Sequence, residues 1–225
     1  MLSQSKIDEY RNYIVRQIKH ASIRAEPFPY LVVDNFLPIE LTTLLDEEYS
    51  DFESFSSSSN VLFYNNPNRF ADNIESAGGR LGKSSNNCLH HIFNSGAIPS
   101  TLIKKLKADG FSKLHFRGQV TRDTEKYSLG VHTDVINKLF TLIVYLNRED
   151  RFMKGTSIFK SPYGLESDGY VMYPADFFTH VGEIKASFNR ALIFQRSSTS
   201  FHGVLRGDSA SERFTLQLNY FFSVE

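Results

Sequence analysis

The strongest constraint on this chain is the strict two-residue alternation near its end. Arg213, Thr215, Gln217 and Asn219 fall on one face, and Phe214, Leu216, Leu218 and Tyr220 on the other. A period of two belongs to a β-strand, and the apolar set fixes which face turns to a core. The same half of the chain reads as seven further short strands, over 114–121, 128–134, 139–147, 156–160, 169–173, 191–196 and 200–205, with turn formers between them. Eight short strands in succession predict a sandwich, jelly roll or barrel.

The first half reads differently. Ile7, Tyr10, Tyr13, Ile14 and Ile18 recur at helical spacing and predict a helix over 3–21 packed on the outside of the domain. Pro27 and Pro38 bracket a β-rich run, and Pro38 then opens a helix carrying Leu41, Leu44 and Leu45. The stretch 50–95 is rich in turn formers, including Ser56–Ser59, Asn65-Asn66-Pro67-Asn68 and Ser84-Ser85-Asn86-Asn87, and reads as loops around a pocket mouth. A short helix is expected over 101–108. With 225 residues, 41% of them hydrophobic, and no internal repeat, the chain is expected to form one domain over 1–225. A helical part takes about 1–110 and a β core about 111–225.

Twenty-five basic residues balance twenty-five acidic ones, and no basic stripe tracks along the sequence, so nucleic acid is not an expected partner. Cys88 is the single cysteine and has no internal disulfide partner, which fits a reducing compartment. The first residues are charged throughout, and no run approaches the roughly 20 apolar residues of a membrane helix. A cytoplasmic location is expected.

The chemistry concentrates at three places. In Gly130-Val131-His132-Thr133-Asp134, residues two apart on a strand share a face, so His132 and Asp134 can reach one metal ion. Phe201-His202-Gly203 supplies a second imidazole on another expected strand. Two histidines and one carboxylate can cap one face of an octahedron and leave three positions open, the arrangement of non-haem iron(II) oxygenases. Arg213 follows His202 by eleven residues, across an expected turn at Arg206-Gly207-Asp208-Ser209. A hairpin there sets Arg213 beside His202, where a guanidinium can grip a carboxylate with two prongs. The distal carboxylate of 2-oxoglutarate is the natural guest, with the Thr215 hydroxyl adding a hydrogen bond.

The order His132-x-Asp134, His202, Arg213-x-Thr215 resembles the iron(II)- and 2-oxoglutarate-dependent dioxygenase superfamily, in particular its prolyl-4-hydroxylase-like branch. The resemblance covers roughly 114–220 and extends to Gly155-Thr156-Ser157-Ile158-Phe159, Asn189–Phe194 and the Pro27-Phe28-Pro29-Tyr30 segment. It implies a mainly β fold with flanking helices, a double-stranded β-helix of the jelly-roll or cupin-like barrel type. It also implies iron(II), 2-oxoglutarate and dioxygen as the reacting set. Arg213 departs from the lysine of animal collagen hydroxylases, and Asp134 departs from the halogenases of the family, which lack that carboxylate.

Other residues are weighed against plainer roles. Gln119, Asn219 and Tyr127 are candidate substrate contacts, although a solvated strand face is the preferred reading of His115, Arg117 and Gln119. Lys138 flanks the His-x-Asp stretch. Arg190, Arg196 and Arg206 are rival carboxylate binders. His90 and His91, adjacent on an expected strand, point apart, His20 lies near a helix C-terminus that favours positive charge, and His180 lacks a partnering carboxylate. The function expected is hydroxylation of a small molecule, such as a free or carrier-bound amino acid. The alternatives are a prolyl-type protein hydroxylase and a jelly-roll binding domain without this chemistry. A homodimer is an allowed assembly.

Overall fold

The computed structural model describes residues 2–50, 68–74, 83–109, 113–148, 155–205 and 212–222. Two antiparallel sheets face each other in a jelly roll, with four helices against the outer face of the larger sheet. Its seven strands run in the order β1 (Ile23–Arg24), β2 (Tyr30–Val33), β9 (Arg190–Gln195), β6 (Lys138–Tyr145), β11 (Arg213–Phe222), β4 (Leu114–Asp123) and β3 (Arg69–Asn73). The smaller sheet runs β5 (Leu129–His132), β10 (His202–Val204), β7 (Thr156–Lys160) and β8 (Thr179–Ile184).

Alternation along the central strands divides the molecule. On β11, Leu216, Leu218 and Tyr220 join Leu142, Val144 and Ile193 in the core beneath the helices. On the inner faces, Ile143, Tyr145, Leu192 and Phe194 pack against Ile158 and Ile184 of the smaller sheet. A slip of one residue would exchange these sets, so the register is strongly held.

Helix α1 (Gln4–His20) is capped by Ser3, whose hydroxyl accepts from the Lys6 amide, and buries Ile7, Tyr10, Ile14 and Ile18. Helix α2 (Ile39–Glu48) follows Pro38, and α4 (Ala97–Leu106) overlaps the expected 101–108 helix, starting earlier and ending at Leu106. None of the helices among the described residues is long and apolar enough to cross a membrane.

The sequence reading needs correction in four places. The stretch 50–95 is not loops throughout: it contains β3 and α3 (Ser84–Phe93), while 51–67 and 75–82 lie outside the described residues. His90 and His91 therefore sit on a helix, not a strand. The expected strand over 169–173 forms only a single bridge, Val131 to Tyr173, because Gly169 (φ 90°) breaks the extended run. The smaller sheet is completed by β8, which the pattern did not reveal. The expected turn at 206–209 lies outside the described residues.

Candidate active site

β5 and β10 are neighbours, and their register sets His132 directly opposite His202. Residues 70 apart in the chain thus become a cross-strand pair with side chains on one face, ring centroids 4.4 Å apart. Asp134 lies two residues beyond the end of β5, not on the strand as the alternation suggested. It still arrives: ligand atoms of His132, Asp134 and His202 all lie within 4.8 Å of one another, and all three residues are buried.

Each imidazole is aimed by its own backbone. His132 Nδ1 sits 2.8 Å from the Gly130 carbonyl and His202 Nδ1 sits 3.0 Å from the Ser200 carbonyl. With Nδ1 donating, each Nε2 presents a lone pair. Burial, and for His132 the neighbouring His202, push both imidazoles towards the neutral form, His132 down to about 3. Asp134 behaves oppositely. Burial alone would raise its carboxyl, but the Lys138 ammonium and the two imidazoles hold it well below the usual carboxylate range. Lys138 Nζ donates to Oδ1 at 2.7 Å and the Thr141 hydroxyl to Oδ2 at 2.6 Å. The loop behind is fixed by Arg196, which donates to the carbonyls of Asp134 (3.1 Å) and Ser167 (2.7 Å). Gly169 closes it, since a Cβ there would stand 2.1 Å from the Asp134 carbonyl oxygen. Two neutral nitrogens and one anionic oxygen form a donor set that fits iron(II).

The inner face of the larger sheet continues as cross-strand rows, read from the registers. Arg69, Asp123 and Arg213 form one row; Ala71, Thr121, Thr215 and Tyr145 the next; Asn73, Gln119, Gln217 and Ile143 the third. In the first row Arg69 grips Asp123 with two prongs, Nε to Oδ1 at 2.6 Å and Nη2 to Oδ2 at 2.8 Å. Arg213 Nη1 donates to the same Oδ2 at 3.0 Å, and Nη2 lies 3.4 Å from the Thr156 hydroxyl. The Arg213 Nε–H is buried with no partner among the described residues. Tyr145 stacks near the guanidinium and donates to Thr156 Oγ1 at 2.7 Å.

Arg213 is buried on the inner face of the larger sheet, but not on a strand beside His202 as the hairpin argument placed it, because β10 and β11 belong to different sheets; it already holds one carboxylate. Thr215 is fully buried and shares a 2.6 Å hydrogen bond with Thr121. Gln119 and Gln217 face each other at 3.1 Å. Asn219 stands opposite Thr141, and its buried Oδ1 has no partner among the described residues. Tyr127 is buried, its ring 4.3 Å from the Arg69 guanidinium. Of the rival arginines, Arg190 pairs with Asp34 near the surface and Arg196 serves backbone carbonyls; Arg206 lies outside the described residues. Reading the sequence missed Tyr145, Thr156, Thr141, Asp123 and Arg69 at this site. Of these, Thr141 and Tyr145 carried a signal, since their alternation along β6 puts them on the face opposite Leu142 and Val144.

No protein-family model matches the sequence, and no curated protein sequence matches it. Solved structures do superpose on it. A prolyl 4-hydroxylase from Phytophthora capsici matches with a TM-score of 0.57 at 16% identity, over 98% of this chain and 67% of that one. A Trichoplax adhaerens prolyl hydroxylase, solved with a hypoxia inducible factor oxygen degradation domain peptide fragment, matches at 0.56 and 16%, over 96% and 91%. A Burkholderia pseudomallei oxidoreductase of the 2OG-Fe(II) oxygenase family matches at 0.51 and 13%, over 98% and 92%. The chain has the fold of the prolyl-4-hydroxylase-like 2-oxoglutarate and iron(II) oxygenases. That is the fold implied by the His132, Asp134, His202 and Arg213 motif.

Proposed function

We propose that this protein is an iron(II)- and 2-oxoglutarate-dependent oxygenase that hydroxylates a small molecule, such as a free or carrier-bound amino acid. The observation that carries the reading is the buried His132–Asp134–His202 cluster on the smaller sheet together with Arg213 on the inner face of the larger one, whose Nε–H is a buried donor with no partner among the described residues. An orphaned donor on a guanidinium costs free energy unless a guest anion meets it.

His132, Asp134 and His202 would hold the metal, and Arg213, with the Tyr145 and Thr156 hydroxyls, would receive the distal carboxylate of the 2-oxo acid. When bound, this set would supply the oxidising power: the 2-oxo acid would lose carbon dioxide and take up one atom of dioxygen to become succinate, and the other oxygen atom would enter a C–H bond of the substrate. The chain's own contribution is placement. The carbonyls of Gly130 and Ser200 orient the imidazoles, Lys138 and Thr141 orient the carboxylate, and Phe194 packs edge-on against His202 at 4.7 Å, keeping water from that ligand. Gln119, Gln217 and Asn219, on the polar faces of β4 and β11, would offer amide groups to a substrate.

A second reading, a protein side-chain hydroxylase, draws on the rim. Ile136, Tyr170 and Val171 are exposed on loops that adjoin Asp134, and one structural neighbour was solved with a peptide. Succinate release by purified protein with iron(II), 2-oxoglutarate and oxygen, compared with His132→Ala, tests the class. Turnover lost in the variant is expected; equal turnover in both would remove the proposal. A panel of amino acids and peptides, read by a 16-Da mass gain, then separates the two substrates.

A further inference from the structure

The Arg69–Asp123–Arg213 row holds two guanidinium groups and one carboxylate. Their side chains are 11%, 0% and 4% exposed. Among the described residues no second carboxylate pairs with either arginine. Among the described residues the row is thus one anion short, in a place where charge is costly to leave uncompensated. The distribution is also uneven. Arg69 takes both oxygens of Asp123 through Nε and Nη2, whereas Arg213 reaches only one oxygen through Nη1 and leaves Nε unpaired. Asp123 consequently belongs more to Arg69 than to Arg213. For Arg69 burial alone would lower the pKa, but Asp123 and Tyr127 raise it, so its charge is secure.

We propose that Arg69 is a positioning residue for the co-substrate. By holding Asp123 from the far side, it keeps Arg213 from being neutralised and leaves the row to be completed by the distal carboxylate of the 2-oxo acid. This rests on the reading of the site given above. The edge strand β3 thereby acts on the pocket through Asp123 without touching the guest. Remove Arg69, and Asp123 can turn both oxygens to Arg213, closing a neutral pair that needs no guest.

Charge counting makes the idea testable. The row carries +1 in the native protein, 0 in Arg69→Gln, +2 in Asp123→Asn and +1 again in the double variant. Calorimetric titration of 2-oxoglutarate into the full-length, iron(II)-loaded protein under anaerobic conditions reads binding without turnover. Arg69→Gln should weaken binding by about tenfold or more, the scale of one lost interaction with a buried charge. Asp123→Asn should bind at least as tightly as the native protein, and the double variant should return to within about threefold of it. A 2-oxo monoacid such as 2-oxobutyrate, which lacks the distal carboxylate, should bind all four proteins alike; a merely structural role for Arg69 would weaken both ligands and would not be rescued. Native affinity in Arg69→Gln, or a double variant as weak as Arg69→Gln, overturns the proposal. Should Arg69→Gln not fold, Asp123→Asn decides alone, since weakened binding there contradicts the count. A native protein that takes iron(II) but no 2-oxoglutarate instead removes the pocket reading on which the inference rests.

Discussion

The His132–Asp134–His202 cluster and the arginine row are both buried polar groups on the inner faces of the jelly roll, yet they are built in opposite ways. The cluster is made by short, irregular pieces: two strands of four and three residues and the loop after one of them. Its charge is matched locally, since Lys138 answers Asp134 and burial keeps the imidazoles neutral. The row is made by β3, β4 and β11, two of them ten residues long, and among the described residues its second guanidinium has no carboxylate of its own. The difference teaches which parts of the site are supplied by the chain and which await a guest. A metal cluster needs ligands in their binding protonation state before the ion arrives, so its electrostatics are settled within the protein. A pocket for an anion gains by staying one negative charge short.

The largest expected effect lies at the cluster. Asp134→Ala removes the only anionic ligand and should lower iron(II) affinity and succinate formation by well over a hundredfold, beyond the range typical for loss of groups outside the ligand shell. Bound iron measured after gel filtration checks it. Near-native iron content would mean that the cluster is not the metal site.

At the row, Arg213→Ala should raise the 2-oxoglutarate requirement with little change in iron content. Loss of a charge-assisted, two-pronged contact costs about 2–5 kcal/mol, or roughly thirtyfold to several thousandfold in affinity. KM for 2-oxoglutarate is the quantity to measure, alongside metal content. Unchanged kinetics would refute the assignment of Arg213, and a fall in iron content would show that the two regions are not independent.

Thr141→Val sharpens the contrast from the metal side. It keeps the shape of the side chain and removes only the 2.6 Å hydrogen bond to Asp134 Oδ2. Iron(II) affinity should fall by about tenfold, at the low end for groups that orient a ligand, while 2-oxoglutarate affinity at saturating iron stays as it was.

These two regions were not equally legible in the sequence. His132 and Asp134 stand two apart, so a local rule reached them, and His202 and Arg213 were reached through the motif they complete, although β10 and β11 lie in different sheets and do not form the expected hairpin. Arg69 and Asp123 were out of reach because their meeting with Arg213 needs the register of three strands spread over 144 residues. β3 itself, Arg69-Phe70-Ala71-Asp72-Asn73, is a short edge strand embedded among turn formers and shows no apolar alternation. Helix α3 was hidden for a related reason. Its first turn, Ser84-Ser85-Asn86-Asn87, reads as a turn, but Glu48 accepts from the Ser84 and Ser85 amides and so caps it from 36 residues away. Edge strand β8 is mostly exposed, so no burial pattern marks it. Conversely, Gly169-Tyr170-Val171-Met172-Tyr173 has strand composition but is held as a loop against Asp134 by its glycine. The fold class was readable from alternation; the partners of the charged groups were not, because long-range register decides them.

The smallest effect is the most discriminating test of the row. Tyr145 is fully buried, its hydroxyl donates to Thr156, and the Arg213 guanidinium lies 5.5 Å from its ring centroid. If the phenol serves only the interior, Tyr145→Phe loses one neutral hydrogen bond, worth about 0.5–1.5 kcal/mol of stability, and leaves ligand affinity alone. If it also lines the pocket for the distal carboxylate, its hydroxyl turns from Thr156 to the guest on binding, and the variant loses about two- to tenfold in 2-oxoglutarate affinity. The second outcome is expected, with iron content unchanged, because Thr156 is shared between Tyr145 and Arg213 and so stands where the guest would arrive. Thermal denaturation with and without 2-oxoglutarate separates the cases: a lower melting temperature with an undiminished ligand-induced rise would assign Tyr145 to the core, and a diminished rise assigns it to the row.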